Sequence, residues 1–213
     1  HVSARVPGED KVLIKGRGPE ESGLRFVSAR DIITVDFNGK KLAGDDGLDV
    51  PQEVFIHTWL YKTRPDVECV VHVHPLTVVL FTICGKPLQP LFGAYDPSGL
   101  RLLVEGLATY PRSITVSNEK LGEEFAHAMG NKQACLMRGH GITSAGPNVE
   151  DATLTVTKLN DAAVINYQAS LLGTPQPISQ EDIEILVGKS RGGNQAVHAN
   201  SNWRYYCKLL DEE

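Results

Sequence analysis

The stretch Val67-Glu68-Cys69-Val70-Val71-His72-Val73-His74-Pro75 decides both the core of the fold and the chemistry of the chain. Its β-branched residues predict a strand, in which successive side chains point to opposite faces of the sheet. One face is then wholly apolar and consists of Val67, Cys69, Val71 and Val73. The opposite face carries Glu68, Val70, His72 and His74. Pro75 has no amide proton for a ladder, so we expect the strand to end there, at the rim of a sheet.

The two histidines of this stretch are candidate metal ligands. Residues two apart on a strand are separated by ~6.5–7 Å along it. Two imidazoles at that spacing can converge on one ion through bonds of ~2.0–2.2 Å. The alternative is a half-buried strand with two incidental histidines, and the H-x-H pattern alone does not decide between them. Glu53 and His140 favour the metal site.

Glu53 lies near the start of a predicted helix that Asp49-Val50-Pro51 opens, since proline is favoured in a first turn. The helix ends by Arg64-Pro65, directly before the H-x-H strand. Its buried stripe is predicted to consist of Phe55, Ile56, Trp59 and Leu60. Glu53 lies along the edge of that stripe. Its carboxylate is therefore either a partner of the helix dipole or a group directed into the interior.

His140 follows a second central strand, Ala134 to Met137, in the sequence Arg138-Gly139-His140-Gly141. If the strand geometry continues, Arg138 and His140 share a face. The two flanking glycines permit a close backbone approach and a bend. A lone histidine there is usually structural. Together with an H-x-H at the end of another strand, it completes three histidines, the minimal protein ligand set of an open metal site.

Periodicity, caps and chain breakers predict the remaining elements. Strands are expected at 1–6, 12–14, 32–37, 40–42 and 114–116, and helices at 76–84, 118–130, 148–172, 179–190 and 202–210. The stretch 86–112 is rich in proline, glycine and aromatic residues and is predicted to be irregular. We find no repeat and no interdomain linker, so residues 1–213 are predicted to form a single domain with a helical tail from about residue 179.

Composition restricts the class of protein. Of 213 residues, 41% are hydrophobic and 22% charged, values typical of a globular protein. A net charge of −5 without a basic block argues against nucleic acid as a partner. No apolar run approaches ~18 residues, so no membrane span or membrane partner is expected. The four cysteines are widely spaced and are predicted to be reduced core thiols, which indicates a reducing compartment and a cytoplasmic location.

Four short motifs, in this order, resemble the class II aldolase/adducin family. They are H-V-S-A-R at 1–5, P-Q-E at 51–53, H-V-H-P at 72–75 and R-G-H-G at 138–141, and the likeness covers roughly residues 1–172. The resemblance implies an α/β fold, a three-layer α/β/α domain with a central, mostly antiparallel sheet. It also implies a homotetramer with sites between subunits.

In that family the matching histidines bind a catalytic divalent metal. The resemblance therefore implies one ion per chain, held by His72, His74 and His140, with Glu53 as a further ligand or the general acid/base. Three imidazoles suit Zn, Mn, Fe or Co.

The chain departs from the sugar-phosphate aldolases of the family around the position of the phosphate. His1 stands where those enzymes have an asparagine, Gln52 precedes Glu53, and the segment 16–21 contains Glu20 and Glu21, which would repel a phosphate. These features and Y-P-R-S at 110–113 look closer to the family's decarboxylases. We therefore expect a carbon–carbon lyase, a metal-dependent decarboxylase of a hydroxylated aromatic acid similar to 3,4-dihydroxyphthalate, in aromatic catabolism.

The candidate substrate contacts are His1, Ser3, Arg138 and Tyr206. Arg138 and His1 could hold a carboxylate or phenolate, and a tyrosine of the tail could stack on an aromatic ring. Arg138 could equally form a structural ion pair, and His1 could be a plain loop residue. The alternative function is a class II aldolase or epimerase that acts on a sugar phosphate or 2-oxo acid. A non-catalytic domain like the adducin head is a third hypothesis, against which the retained glutamate and histidines argue.

Overall fold

An eight-stranded sheet runs through the centre of the described part of the protein. The structure is a computed structural model and describes residues 1–19, 23–189 and 195–211. The strands are β1 (Val2–Arg5), β2 (Lys11–Lys15), β3 (Ile32–Asp36), β4 (Lys41–Ala43), β5 (Cys69–Val73), β6 (Ala108–Tyr110), β7 (Ala134–Met137) and β8 (Gly141–Gly146). Their order is β4-β3-β2-β1-β5-β8-β7-β6, and only the β6–β7 pair is parallel. The H-x-H strand β5 therefore lies in the middle of the sheet.

Helices cover both faces of this sheet. They are α1 (Val54–Thr63), α2 (Leu76–Cys84), α3 (Pro97–Glu105), α4 (Glu119–Met129), α5 (Val149–Leu172), α6 (Gln180–Lys189) and α7 (Gln195–Asp211). α1 and α4 bury one core against the sheet, and α2, α3 and α5 bury a second core on the opposite face. The predicted three-layer α/β/α fold with a mostly antiparallel sheet is confirmed.

The alternation predicted for β5 is visible in these two cores. Cys69 and Val71 pack against the core of α2 and α5, whereas Val70 packs against the core of α1. His72 shares the α1 side with Val70 because it lies two residues further along the strand. Val67 differs from the prediction, because it precedes the strand and packs on the α1 side.

The stretch after α2 is more regular than its composition suggests. Residues 86–112 contain α3 and the edge strand β6, so the prediction of an irregular segment is wrong. β6 ends at Tyr110 because the next residue, Pro111, cannot donate to a ladder. The strand predicted at 114–116 is absent from the described structure, because β6 already occupies that edge of the sheet.

A tight turn joins β7 to β8. β7 ends at Met137, which pairs with Gly141, and Arg138 to His140 form the turn between them. Strand geometry therefore does not continue through Arg138 and His140, and the condition under which they would share a strand face is not met. Gly139 adopts φ +60°, a left-handed conformation that glycine allows at little cost.

The cysteines are all free, as predicted, but they are not all in the core. Cys69 and Cys135 are buried, Cys207 is half-buried and Cys84 is exposed at the end of α2. The prediction of a core thiol is wrong for Cys84 because the last turn of α2 lies at the surface.

The helical tail consists of α6 and α7 and packs on α3 and α5. α6 contacts α3, and α7 contacts α5. A single domain over residues 1–213 stays a prediction. Within the described ranges, no helix is both long enough and apolar enough to cross a membrane.

Gly141, the first residue of β8, lies close to the end of β5 and yields a test of the fold. A Cβ atom there would lie 2.4 Å from the carbonyl oxygen of Val73 and 2.7 Å from Cδ2 of His74. We expect Gly141→Ala to lower the free energy of unfolding by about 1–3 kcal/mol, the usual cost of overpacking. Urea denaturation measures this change in the free energy of unfolding. Gly188→Ala is the control, since a Cβ at Gly188 meets nothing within 4 Å. Equal stabilities for the two variants would contradict the predicted close approach.

Candidate metal centre

His72 is fixed at the centre of the sheet by its neighbours on both sides. It pairs with Thr143 of β8, and its main chain exchanges two hydrogen bonds with His1, at 2.7 Å and 2.9 Å. Directly opposite residues of an antiparallel pair project to the same face. The rings of His1 and His72 accordingly stack with centroids 6.1 Å apart. The structure thus places His1 beside the predicted ligands.

The other predicted residues come from irregular segments around β5. His74 lies between β5 and α2, His140 lies in the turn between β7 and β8, and Glu53 is the N-cap residue of α1. Glu53 makes no side-chain cap bond, so its carboxylate does not serve the helix end as in the alternative reading. Glu53 and His72 are buried, His140 is half-buried and His74 is exposed.

These four side chains converge on one point. The Nε2 atoms of His72 and His74 are 2.8 Å apart, and Oε1 of Glu53 lies 3.1 Å from Nε2 of His140. Oε2 of Glu53 lies 3.5 Å from Nε2 of His72. All four potential ligand atoms lie within 4.8 Å of one another. Two ligand atoms bound to one ion at ~2.1 Å are themselves about 3.0–3.4 Å apart in tetrahedral or octahedral geometry. The observed spacings therefore suit a shared metal ion.

The protonation states also suit a metal. Burial alone would raise the pKa of Glu53, but its close contacts with His140 and His72 outweigh burial and hold that pKa well below its ordinary range. Burial lowers the pKa of His72 to about 4 and also lowers the pKa of His74. A carboxylate and neutral imidazoles at neutral pH are the forms that bind metals.

Two neighbours that the sequence analysis missed hold this cluster in place. The amide of Val116 donates to Oε1 of Glu53 at 3.4 Å, in the segment that was predicted to be a strand. The hydroxyl of Thr143 lies 3.0 Å from Nδ1 of His72. Neither residue has a local sequence signal, because each depends on which segments become neighbours in the fold.

Ser3 lies in a buried network with His57 and Tyr61. Its hydroxyl is 2.7 Å from Nδ1 of His57 and 2.8 Å from the hydroxyl of Tyr61, which also donates to the Ser3 carbonyl at 3.0 Å. Ser3 is 1% exposed and His57 is fully buried. Burial holds the pKa of His57 well below its ordinary value, so the ring is neutral. A contact between Ser3 and a substrate stays a prediction.

The other two predicted substrate contacts, Arg138 and Tyr206, are not part of the cluster of potential metal ligands. Arg138 is exposed in the β7–β8 turn, where its amide donates to the Tyr110 carbonyl at 3.0 Å. Tyr206 lies on α7 against Tyr205, with ring centroids 5.6 Å apart. α7 packs on α5, and burial together with the nearby charge of Asp161 raises the pKa of Tyr206. Roles for both in substrate binding stay predictions. Glu20 and Glu21 lie outside the described residues.

The Ser3 network predicts a stability effect. Ser3→Ala removes the partner of a fully buried imidazole nitrogen, and an unsatisfied buried polar group costs about 1–3 kcal/mol. We expect the free energy of unfolding to fall by that amount in urea denaturation. Ser117→Ala changes an exposed serine and should stay within about 0.5 kcal/mol of the wild type. If both variants were as stable as the wild type, the predicted supporting role of the Ser3 hydroxyl would be wrong.

Comparison with known families covers most of the chain. Residues 1–167 match the Class II Aldolase and Adducin N-terminal domain. This region runs from β1 through most of α5 and contains Glu53, His72, His74 and His140. The resemblance found in the four short motifs is thereby confirmed.

Individual relatives point to the same group. The chain is 40% identical over 176 residues to 3,4-dihydroxyphthalate decarboxylase of Arthrobacter keyseri, covering 81% of this chain and 71% of the relative. It is 36% identical over 208 residues to 3,4-dihydroxyphthalate decarboxylase of a Terrabacter species, covering 96% of this chain and 85% of the relative. The crystal structure of an aldolase II superfamily protein from Pseudomonas syringae superposes with a TM-score of 0.83 at 21% identity, over 99% of this chain and 82% of that chain. The chain belongs to the class II aldolase and adducin family.

Proposed function

We propose that this protein is a carbon–carbon lyase, a metal-dependent decarboxylase of a hydroxylated aromatic acid of the 3,4-dihydroxyphthalate type, in aromatic catabolism. The observation that carries this proposal is the convergence of Glu53, His72, His74 and His140 on one point. The names of the two relatives, one of them similar along 96% of this chain, favour decarboxylation among the reactions of the family.

The three histidines are proposed to hold one divalent ion per chain, either Zn, Mn, Fe or Co. Their Nε2 atoms face one another and the Glu53 carboxylate, and the rings of His72 and His74 are kept neutral by their lowered pKa values. A bound divalent ion supplies a Lewis acid that stabilises negative charge on a substrate oxygen. Glu53 is either the fourth ligand or the acid/base beside the three histidines.

Glu53 is proposed to move the proton that the reaction requires. When the bond between the ring and the carboxylate breaks, CO₂ leaves and its electron pair stays on the ring carbon, which must take up a proton. Glu53 is a carboxylate in the resting protein, so it has a free oxygen to take up the proton of an ortho hydroxyl, which a bound divalent ion would make more acidic. The same carboxyl oxygen then donates that proton to the ring carbon. The product phenolate finally takes a proton from water, so all protons are accounted for.

Residues around the cluster are proposed to orient the acid. His1 projects from the same face as His72, and Arg138 lies two residues before His140, which supports the proposal that both meet the charged edge of a substrate. Arginine suits a carboxylate because it can donate in bidentate fashion. Tyr206 keeps its proposed role in stacking on an aromatic ring. For Ser3 we propose support of the site through His57, since its hydroxyl is buried.

We also propose a homo-oligomer, a tetramer by resemblance to the family. Leu76, Leu80 and Ile83 form an apolar stripe along α2, and they are 73%, 40% and 57% exposed. An exposed apolar stripe of this kind favours burial against another protein surface.

The partner otherwise proposed is a small-molecule acid, with no nucleic acid or membrane partner. The four free cysteines support a cytoplasmic location.

The second candidate is an aldolase or epimerase that acts on a sugar phosphate or 2-oxo acid. It is favoured by the family itself, since the same cluster could stabilise the negative charge of an enediolate. The two candidates differ in the product they release, either CO₂ or an aldehyde.

Substrate assays test the proposed function. We expect CO₂ release from 3,4-dihydroxyphthalate and none from the same acid without its ortho hydroxyl, because that hydroxyl carries the charge and supplies the proton. Chelator treatment should abolish the release, and added divalent ion should restore it. Equal rates from both acids would contradict the role of the hydroxyl. Cleavage of a sugar phosphate to an aldehyde, without CO₂ release, would favour the aldolase.

A substitution of Glu53 tests its proposed role as the acid/base. Glu53→Gln preserves shape but cannot carry a proton, so we expect kcat to fall about 10²–10⁴-fold, the usual scale of general acid–base catalysis. Metal content measured by mass spectrometry should remain at one ion per chain. Glu68→Gln, which changes an exposed glutamate next to β5, is the control and should keep the wild-type rate. A near-wild-type rate for Glu53→Gln would remove Glu53 from the mechanism.

A further inference from the structure

Thr143 is the residue of β8 directly opposite His72, and its side chain is fully buried. Its hydroxyl oxygen lies 3.0 Å from Nδ1 of His72. The same oxygen lies 3.4 Å from the sulfur of Met137, to which the hydroxyl is placed to donate. The three side chains thus form a short buried chain that runs from Met137 through Thr143 to His72.

The single proton of the hydroxyl determines the direction of this chain. If Thr143 donates its proton to Met137, its oxygen can only accept from His72, so Nδ1 of His72 must carry a proton. A neutral imidazole has one ring proton, which leaves Nε2 of His72 with a free lone pair. That nitrogen is the one that faces Nε2 of His74 at 2.8 Å and Oε2 of Glu53 at 3.5 Å.

We propose that Thr143 is a positioning residue of the metal centre: its hydroxyl holds His72 in the tautomer with the proton on Nδ1, so that Nε2 can bind the ion. The inference rests on the proposed metal site and adds a residue to it. The group that a ligating histidine contacts through its other nitrogen fixes the orientation and tautomer of the ring, and its loss typically weakens metal binding about 10–100-fold.

Burial makes the threonine hydroxyl hard to replace. Thr143 is 0% exposed and His72 is 2% exposed, so bulk water does not reach the bond between them. A valine at position 143 would keep the shape of the side chain and remove only the acceptor. Nδ1 of His72 would then lose its partner. The tautomer with the proton on Nε2 would become the more stable one, because His74 and Glu53 offer acceptors there.

The structure provides a matched control in Thr58 of α1. Thr58 is also 0% exposed, and within the described part of the chain its hydroxyl has no hydrogen-bond partner. Thr58→Val is therefore the same chemical change at an equally buried site that does not contact the ligands through a hydrogen bond.

The experiment titrates Co²⁺ into the metal-free full chain by calorimetry. We expect Thr143→Val to raise the dissociation constant about 10–100-fold. Thr143→Ser keeps the hydroxyl and should stay close to the wild type, as should Thr58→Val. Thr143→Ala provides a second hydroxyl-free variant in case the valine variant does not fold. Proton–nitrogen correlation spectra of the metal-free wild type should show the ring proton of His72 on Nδ1, and this signature should be lost in the hydroxyl-free variants.

The outcomes separate this inference from the proposed function. Unchanged Co²⁺ affinity in a folded hydroxyl-free variant, or a wild-type His72 with its proton on Nε2, would overturn the role of Thr143 and leave the metal site standing. A wild type that binds no Co²⁺ would overturn the proposed metal site itself. A loss of affinity in Thr143→Ser as large as in Thr143→Val would show that shape rather than the hydroxyl matters, which also overturns the inference.

Discussion

The register between β5 and its two neighbours is the constraint on which the rest of the site depends. It aligns His72 of β5, Thr143 of β8 and His1, which directly precedes β1, in one row on the side of α1. Because side chains alternate with period two, a slip of one residue would turn His72 into the core of α2 and α5. The apolar face of β5 resists that slip, since Cys69 and Val71 would then face the polar cluster.

The remaining ligands depend on this row because none of them lies within a regular element. Glu53 directly precedes α1, His74 follows β5, and His140 lies in a three-residue turn. Such positions are free to direct side chains across the rim of the sheet, whereas residues within strands and helices are confined by the ladder and by core packing. The rigid row thus supplies one buried ligand, and three irregular segments converge on it. This combination is typical of sites that need precise geometry together with access for a substrate.

Burial of the cluster has an electrostatic cost that the cluster itself offsets. A carboxylate removed from water is unfavourable unless it is paired, and Glu53 meets two imidazoles and the amide of Val116. Its low pKa shows that these contacts outweigh burial. A carboxylate beside three imidazoles can serve both the loss of CO₂ and the cleavage of an aldol, because both reactions leave negative charge on an oxygen near the site. The choice between them therefore depends on the residues around the substrate, for which His1 and Arg138 are the proposed candidates.

Patterns that act within a few residues were readable from the sequence. The H-x-H strand, the stop at Gly85, the cap at Asn148 and the glycines around His140 all follow from local periodicity and backbone freedom, and together with the resemblance they identified the four converging residues. Only the tertiary structure decided which residues support them. His72 and Thr143 are 71 positions apart, and Glu53 and Val116 are 63 positions apart. Strand order brings such pairs together, and no local pattern encodes it. Strand order also explains why Ala108–Tyr110 forms the edge strand in place of residues 114–116. A segment becomes a strand when it pairs with a neighbour, here β7, and β-propensity alone does not determine that pairing.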